Sequence, residues 1–307
     1  MVRIGAVKLP ASKKKLSELG QRLASETLLP GDQELYVALL DTYDRVQQAT
    51  RTVIEGVDWG PLLSGPLDVT GRTKTLDTLV QKLRRSPATK LPYVRDIAGV
   101  RVVGDFPLVV QTALATRLLT AFDEPDGVLI DRVAQPVSGY RAIHIVVRID
   151  GIPVEVQIRT RLQHVWAEIY ERVADRWGRQ IRYGDPPDPE PLPREDGLTR
   201  QEIVGFLQRL SLEEIAECER AGILSFAVSE ALRPGSVGAA VRPVLGLESD
   251  LEKLAEDRLT EWRTTSSEVV DRVQEVGAAL EDTLLKVGEL LDEEEPDHEI
   301  ASSLEGP

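Results

Sequence analysis

Residues 140–160 read YRAIHIVVRIDGIPVEVQIRT, two runs of alternating side chains joined by Asp150-Gly151. An Asp-Gly pair between such runs signals a two-residue hairpin, because both turn positions need positive φ. Closing the loop there pairs Ile149 with Ile152, Val146 with Glu155, His144 with Gln157 and Ala142 with Arg159. Paired residues share a face of the sheet. The reading predicts an apolar face of Ile143, Ile145, Val147, Val154, Val156 and Ile158. The opposite face carries Tyr140, His144, Glu155, Gln157 and Arg159. The plain reading of that face is a solvated sheet, but Lys, Thr and Ser are scarce on it. A phenol, an imidazole, a carboxylate, an amide and a guanidinium together suggest the floor of a site.

Two upstream segments extend the pattern. VTGRTKTLDTLVQKLRR (69–85) predicts a strand end and then a helix, with Lys74, Thr78 and Lys82 on one face at i, i+4 and i+8. Two ammonium groups and a hydroxyl beside a helix N-terminus suit an oligophosphate, since their charge adds to that of the free N–H groups. No P-loop is present, so such a site rests on side chains. RDIAGVRVVGDF (95–106) predicts a strand with Asp96 just ahead of it. Asp96 and Glu155 are candidate ligands for Mg²⁺, which takes carboxylate oxygens together with substrate phosphates. In a regular strand Asp96 and Arg101 face opposite ways, so one site uses both only through a bulge, as at Gly99, or from different surfaces.

In this order, GRTK, RDIAGVR, SGYRAIH and VEVQIRT, followed by TRLQHVWAEIYERVADRWG, resemble the synthetase domain of the RelA/SpoT family over residues 65–182. The resemblance implies an α+β fold: a mixed β-sheet flanked by helices, like the nucleotidyltransferases. It implies a pyrophosphokinase that moves pyrophosphate from ATP to the 3′-hydroxyl of GDP or GTP, releasing AMP and forming a (p)ppGpp alarmone, with Mg²⁺ as cofactor. Arg72 and Arg101 would then stack on the adenine of ATP, and Lys74, Thr78 and Lys82 would contact its phosphates. Asp96 and Glu155 would hold the metal, Glu155 also helping to deprotonate the attacking hydroxyl. Tyr140, Arg141 and His144 would face the acceptor, Tyr140 stacking on its base, with His144 and Gln157 near the reacting groups.

The chain departs from the family at IDRVAQPVSGYRAIH, where Arg132 replaces the usual Tyr and Val137 the usual Lys. That lysine would serve the acceptor's 5′-phosphates. Two other readings therefore stay open: a toxin that pyrophosphorylates the 3′ CCA end of tRNA, with a cognate antitoxin as partner, and an inactive nucleotide-binding module. The N-terminal cluster of Lys13, Lys14, Lys15 and Arg22 would give tRNA a cationic landing site, or is simply an exposed helix start. Three histidines and no His-Asp dipeptide argue against the hydrolase activity of the long members.

Charge divides the chain. Residues 184–307 hold 11 basic and 30 acidic side chains, against 26 and 21 in residues 1–183. The mildly basic front admits a phosphate-rich substrate that the overall acidity would discourage. The change falls at GDPPDPEPLP, whose prolines forbid a helix. The expected organisation is a synthetase domain with N-terminal helices (1–183), a Pro-rich linker (184–198) and an acidic helical region (199–307). Apolar positions between 248 and 289 recur at helical spacing and suggest packing or homo-oligomerisation. A single Cys excludes an internal disulfide. With no leader pattern and no apolar run of about 20 residues, a cytoplasmic protein without membrane partners is expected.

Overall fold

The computed structural model of the chain describes residues 7–60, 63, 65–74, 76–187 and 199–223, and isolated positions between 275 and 286. By backbone contacts the chain divides into two units, Met1–Pro136 with Arg141–Arg161, and Val137–Tyr140 with Leu162–Pro307.

The first unit is built on five strands: β1 Asp68–Thr73, β2 Ala98–Gly104, β3 Val128–Asp131, β4 Ile143–Ile149 and β5 Ile152–Thr160. Their order is β1-β2-β5-β4-β3, with β2 and β5 parallel and every other pair antiparallel. The sheet is mixed and flanked by helices, as the family resemblance implies. The hairpin forms in the predicted register, with His144 opposite Gln157 and Val146 opposite Glu155. Asp150 and Gly151 take φ of 49° and 78°, the primed geometry that matches strand twist. Its six predicted apolar residues are all at most 2% exposed.

Helix α1 (Lys13–Ser25) starts at Ser12, whose side chain accepts the Lys15 N–H at 3.3 Å. It buries Leu16, Leu19 and Leu23, and α2 (Asp32–Glu55) follows. Arg22 donates Nε and Nη2 to the two oxygens of Asp32, each at 2.7 Å, and fixes the α1–α2 connection. Arg22 is thereby removed from the cationic cluster in which the sequence reading counted it. Helix α2 covers the apolar layer of the sheet. Gln47 donates to the Gly99 carbonyl at 3.2 Å, and a Cβ at Gly71, the partner of Val100, would collide with its side chain. Helix α3 (Leu76–Arg85) packs on α1, and α4 (Leu108–Ala121) backs β4 and β5, with Gln111 donating to the Ile158 carbonyl at 2.8 Å.

In the second unit, α5 (Arg161–Trp177) buries Trp166, Ile169, Val173 and Trp177, with Leu162 and Val165 partly buried against them. Their partners include Val204 and Leu207 of α6 (Arg200–Arg209), and Leu210 and Ile215 of the π-helical stretch Leu210–Ile215 that continues it. Thr199 and Glu202 form a reciprocal capping box at the start of α6. Of the Pro-rich linker, residues 188–198 lie outside the described ones. So does the amphipathic stretch 248–289, apart from isolated helical positions. Among the described residues no helix is long and apolar enough to cross a membrane.

Candidate active site

Alternate residues of β5 point to the face away from α2, which aligns Glu155, Gln157 and Arg159 in a row. They are wired together. Arg159 Nη2 donates to Gln157 Oε1 at 2.8 Å, and Gln157 Nε2 donates to Glu155 Oε2 at 2.9 Å. An amide suits the middle position, because it accepts from the cation at one end and donates to the carboxylate at the other. His144 Nδ1 lies 3.3 Å from Glu155 Oε1. Burial pushes the Glu155 carboxyl up, but the His144 hydrogen bond and charge, with Gln157, outweigh it, and the group is held below the usual carboxylate range. Arg159 is 1% exposed. The sequence reading set it on the open floor; the structure buries it as the anchor of the row.

Asp96 occupies a turn two residues before β2. The strand-parity objection therefore falls away: β2 keeps an unbroken register with β1 and β5, and no bulge at Gly99 is needed. Lys74 Nζ reaches Asp96 Oδ2 at 2.8 Å and Lys82 Nζ reaches Oδ1 at 2.7 Å. Burial raises the proton affinity of Asp96, but the two ammonium groups prevail and keep it below its ordinary value. Lys74 precedes α3, so it does not share a helical face with Thr78 and Lys82. Its N–H instead donates to the Ile97 carbonyl at 3.0 Å, which ties it to the Asp96 turn.

Asp96, Glu155 and Lys82 line one cavity of about 480 Å³, with Ala88, Thr89, Lys90, Tyr93, Val94 and Arg95. The negative charge of Asp96 raises the proton affinity of Glu155, a repulsion that a bound cation would relieve. Among the described residues no group of three or more His, Cys, Asp or Glu could hold a metal ion. Two carboxylates completed by substrate oxygens and water fit Mg²⁺, which keeps most of its shell outside the protein.

Residues 71–175, which span this site from Gly71 onward, match the region found in RelA / SpoT proteins. Over 234 residues the chain is 35% identical to an uncharacterized protein of Mycobacterium tuberculosis, spanning 72% of this chain and 83% of that one. The chain belongs to the RelA/SpoT family. It is also 36% identical over 102 residues to a probable chloroplastic GTP diphosphokinase of Arabidopsis thaliana, covering 33% of this chain and 14% of that protein. Small alarmone synthetase 1 from Bacillus subtilis, bound to its product pppGpp, aligns at a TM-score of 0.44 with 22% identity, over 60% of this chain and 92% of that one.

The structure distributes the residues assigned from the RelA/SpoT resemblance unevenly. Glu155, Gln157 and His144 converge, as do Asp96, Lys74 and Lys82. Arg101 is half-buried and pairs in register with Gln157, which sets it on the same face. Arg72 pairs with Gly99, and its side chain lies outside the described ones. Thr78 is half-buried on α3, one turn before Lys82, and Arg141 is buried. Tyr140 does not extend β4: the strand begins at Ile143, and Val137–Tyr140 forms a separate turn in the second unit.

Sequence reading missed Lys90, Tyr93 and Arg95. They fall in LPYVR and its flank, which carries no period and reads as a connection. Only an aromatic residue between two cations hinted at a site. Lys13 of α1 lies over the Tyr93 ring, 5.1 Å from its centroid.

Proposed function

We propose that this chain is an ATP-dependent pyrophosphokinase whose acceptor is the 3′-hydroxyl of a guanine nucleotide, GDP or GTP. The observation that carries the reading is one cavity lined by two carboxylates and a lysine, with Lys74 paired to the same Asp96. Phosphoryl-type transfer needs little beyond positioning and charge neutralisation. The similarity to a probable GTP diphosphokinase supports the guanine acceptor.

In the proposed reaction the acceptor 3′-oxygen attacks the β-phosphorus of ATP. The bond from that phosphorus to the oxygen bridging the α-phosphate breaks, and AMP leaves with the bonding pair. The hydroxyl proton passes to the Glu155 carboxylate. Gln157 and His144 hold that carboxylate by its two oxygens and fix its aim. Asp96 and Glu155 would hold Mg²⁺, which when bound neutralises phosphate charge. Lys74 and Lys82 are poised to exchange Asp96 for the phosphates of ATP, and Arg101 offers a guanidinium plane to its base. The expected division of labour gives residues 1–183 the catalytic work.

One observation favours a second acceptor. Lys13 lies over the Tyr93 ring at the cavity, so this lysine borders the site and would suit the backbone of a tRNA 3′ end. In place of the family's phosphate-binding lysine stands the apolar Val137.

Incubation with Mg²⁺ and γ-labelled ATP, with GDP, GTP and bulk tRNA as parallel acceptors, tests both readings. Label on guanine nucleotides establishes the first. Label on tRNA alone replaces it with the second. No label on any acceptor overturns transfer and leaves a nucleotide-binding module.

A further inference from the structure

Val137–Tyr140 closes on itself: the Tyr140 N–H donates to the Val137 carbonyl at 2.8 Å, and the Val137 N–H to the Tyr140 carbonyl at 3.4 Å. Its central residues, Ser138 and Gly139, take φ of 50° and 83°. Such a turn holds few internal contacts, and its conformation depends on what surrounds it. Here the surroundings are specific. The Ser211 hydroxyl, in a residue only 2% exposed, donates to the Gly139 carbonyl at 2.6 Å. A Cβ at Gly139 would lie 2.8 Å from Trp166 Cζ2 and 3.1 Å from Gln208 Cα, so the turn backbone rests directly on α5 and α6. Trp166 is itself fixed, its Nε1–H donating to the Leu207 carbonyl at 2.7 Å. Tyr140 packs against the same apolar cluster.

Ser211 lies within the π-helical stretch Leu210–Ile215. Single π turns inside α-helices are uncommon and cluster at functional positions, because they redirect the side chains that follow. This one places a buried hydroxyl on the turn that ends in Tyr140.

We infer that Ser211 is a positioning residue for the acceptor. Through Gly139 it fixes the turn that carries Tyr140, so the helices after residue 199 take part in acceptor recognition and do more than pack or oligomerise. The inference rests on the reading of Tyr140 as an acceptor contact.

The test compares Ser211→Ala and Tyr140→Ala with the unaltered full chain. The acceptor that takes label in the transfer assay and ATP are titrated separately, with thermal melting to verify folding. Loss of one buried hydrogen bond to the turn is expected to raise the acceptor KM roughly tenfold and leave the KM for ATP unchanged. Calorimetric titration with GDP and with tRNA supplies the same comparison without turnover. Should Ser211→Ala fail to fold, Trp166→Phe, which withdraws both the indole ring atoms beneath Gly139 and the Nε1–H donor, is expected to give the same selective change. A folded Ser211→Ala with unaltered acceptor KM, beside a Tyr140→Ala in which it rises, overturns the inference and spares the reading of Tyr140. An unaltered acceptor KM in both variants overturns both. Equal rises for acceptor and ATP also overturn the inference, because they mark general damage.

Discussion

His144 Nδ1 lies 3.3 Å from Glu155 Oε1, reaching diagonally across the β4–β5 ladder from its own register partner Gln157. The imidazole and the Gln157 amide thus address opposite oxygens of one carboxylate. They aim Glu155 from both sides, and together they outweigh the burial that would otherwise raise its proton affinity.

Glu155→Gln keeps the shape and removes the charge. The expected loss in transfer is about a hundredfold or more, in line with removal of a group that acts on the reacting centre. Single-turnover transfer from γ-labelled ATP measures it. Activity within a few fold of the unaltered chain would remove Glu155 from the mechanism.

Replacing His144 by Ala changes the pH profile in a definite direction. Burial raises the proton affinity of Glu155, and His144 leads the groups that lower it. Without the imidazole the carboxyl protonates at higher pH, so the acid limb of kcat/KM moves up. A profile that keeps its acid limb in place would show that Glu155 does not govern it.

Asp96→Asn leaves Lys74 and Lys82 facing a neutral amide. The half-buried ammonium groups lose their counter-charge, and stability is expected to fall by about 1–3 kcal/mol, read as a lower urea midpoint. Transfer should fall much further than stability. The double variant with Lys82→Met should recover part of the stability and none of the activity.

The α1–α2 connection provides a pH test away from the site. The hydrogen bond from Arg22, with the Leu29 N–H, lowers the Asp32 carboxyl from an ordinary 3.8 to about 2. A depressed carboxylate stabilises the fold fully above its unfolded value, and the contribution drains away as pH falls from 3.8 towards 2. Asp32→Asn should therefore be less stable than the parent at pH 6, and the gap should narrow near pH 2. A gap that does not change with pH would assign the loss to packing.

The hairpin was fully legible because period-two alternation and Asp-Gly state the same register independently. Legibility failed where the chain left its period. The turn signal lies in Ser138-Gly139, whose positive φ ends the alternation before Tyr140, but the hairpin pattern was extended across it. Asp96 lines one cavity with Glu155, although the parity argument treated its turn as strand. Arg159 shows the limit of face assignment: alternation says which side a residue leaves from, and not whether that side is covered there. Lys90, Tyr93 and Arg95 join the cavity through a 3₁₀ turn, Leu91–Tyr93, too short to leave a pattern.

The parallel β2–β5 ladder has a consequence for how the molecule comes into being. The β4–β5 hairpin closes from neighbouring residues, an event of microseconds. Asp96 and Glu155 stand about 60 residues apart, and they meet only when β2 docks alongside β5, a long-range pairing of the slow kind. During synthesis β2 and its acid emerge first and wait. Until Thr160 has cleared the ribosome β2 has no complete β5 to pair with, and a refolding chain is expected to regain its hairpin before Asp96 meets Glu155.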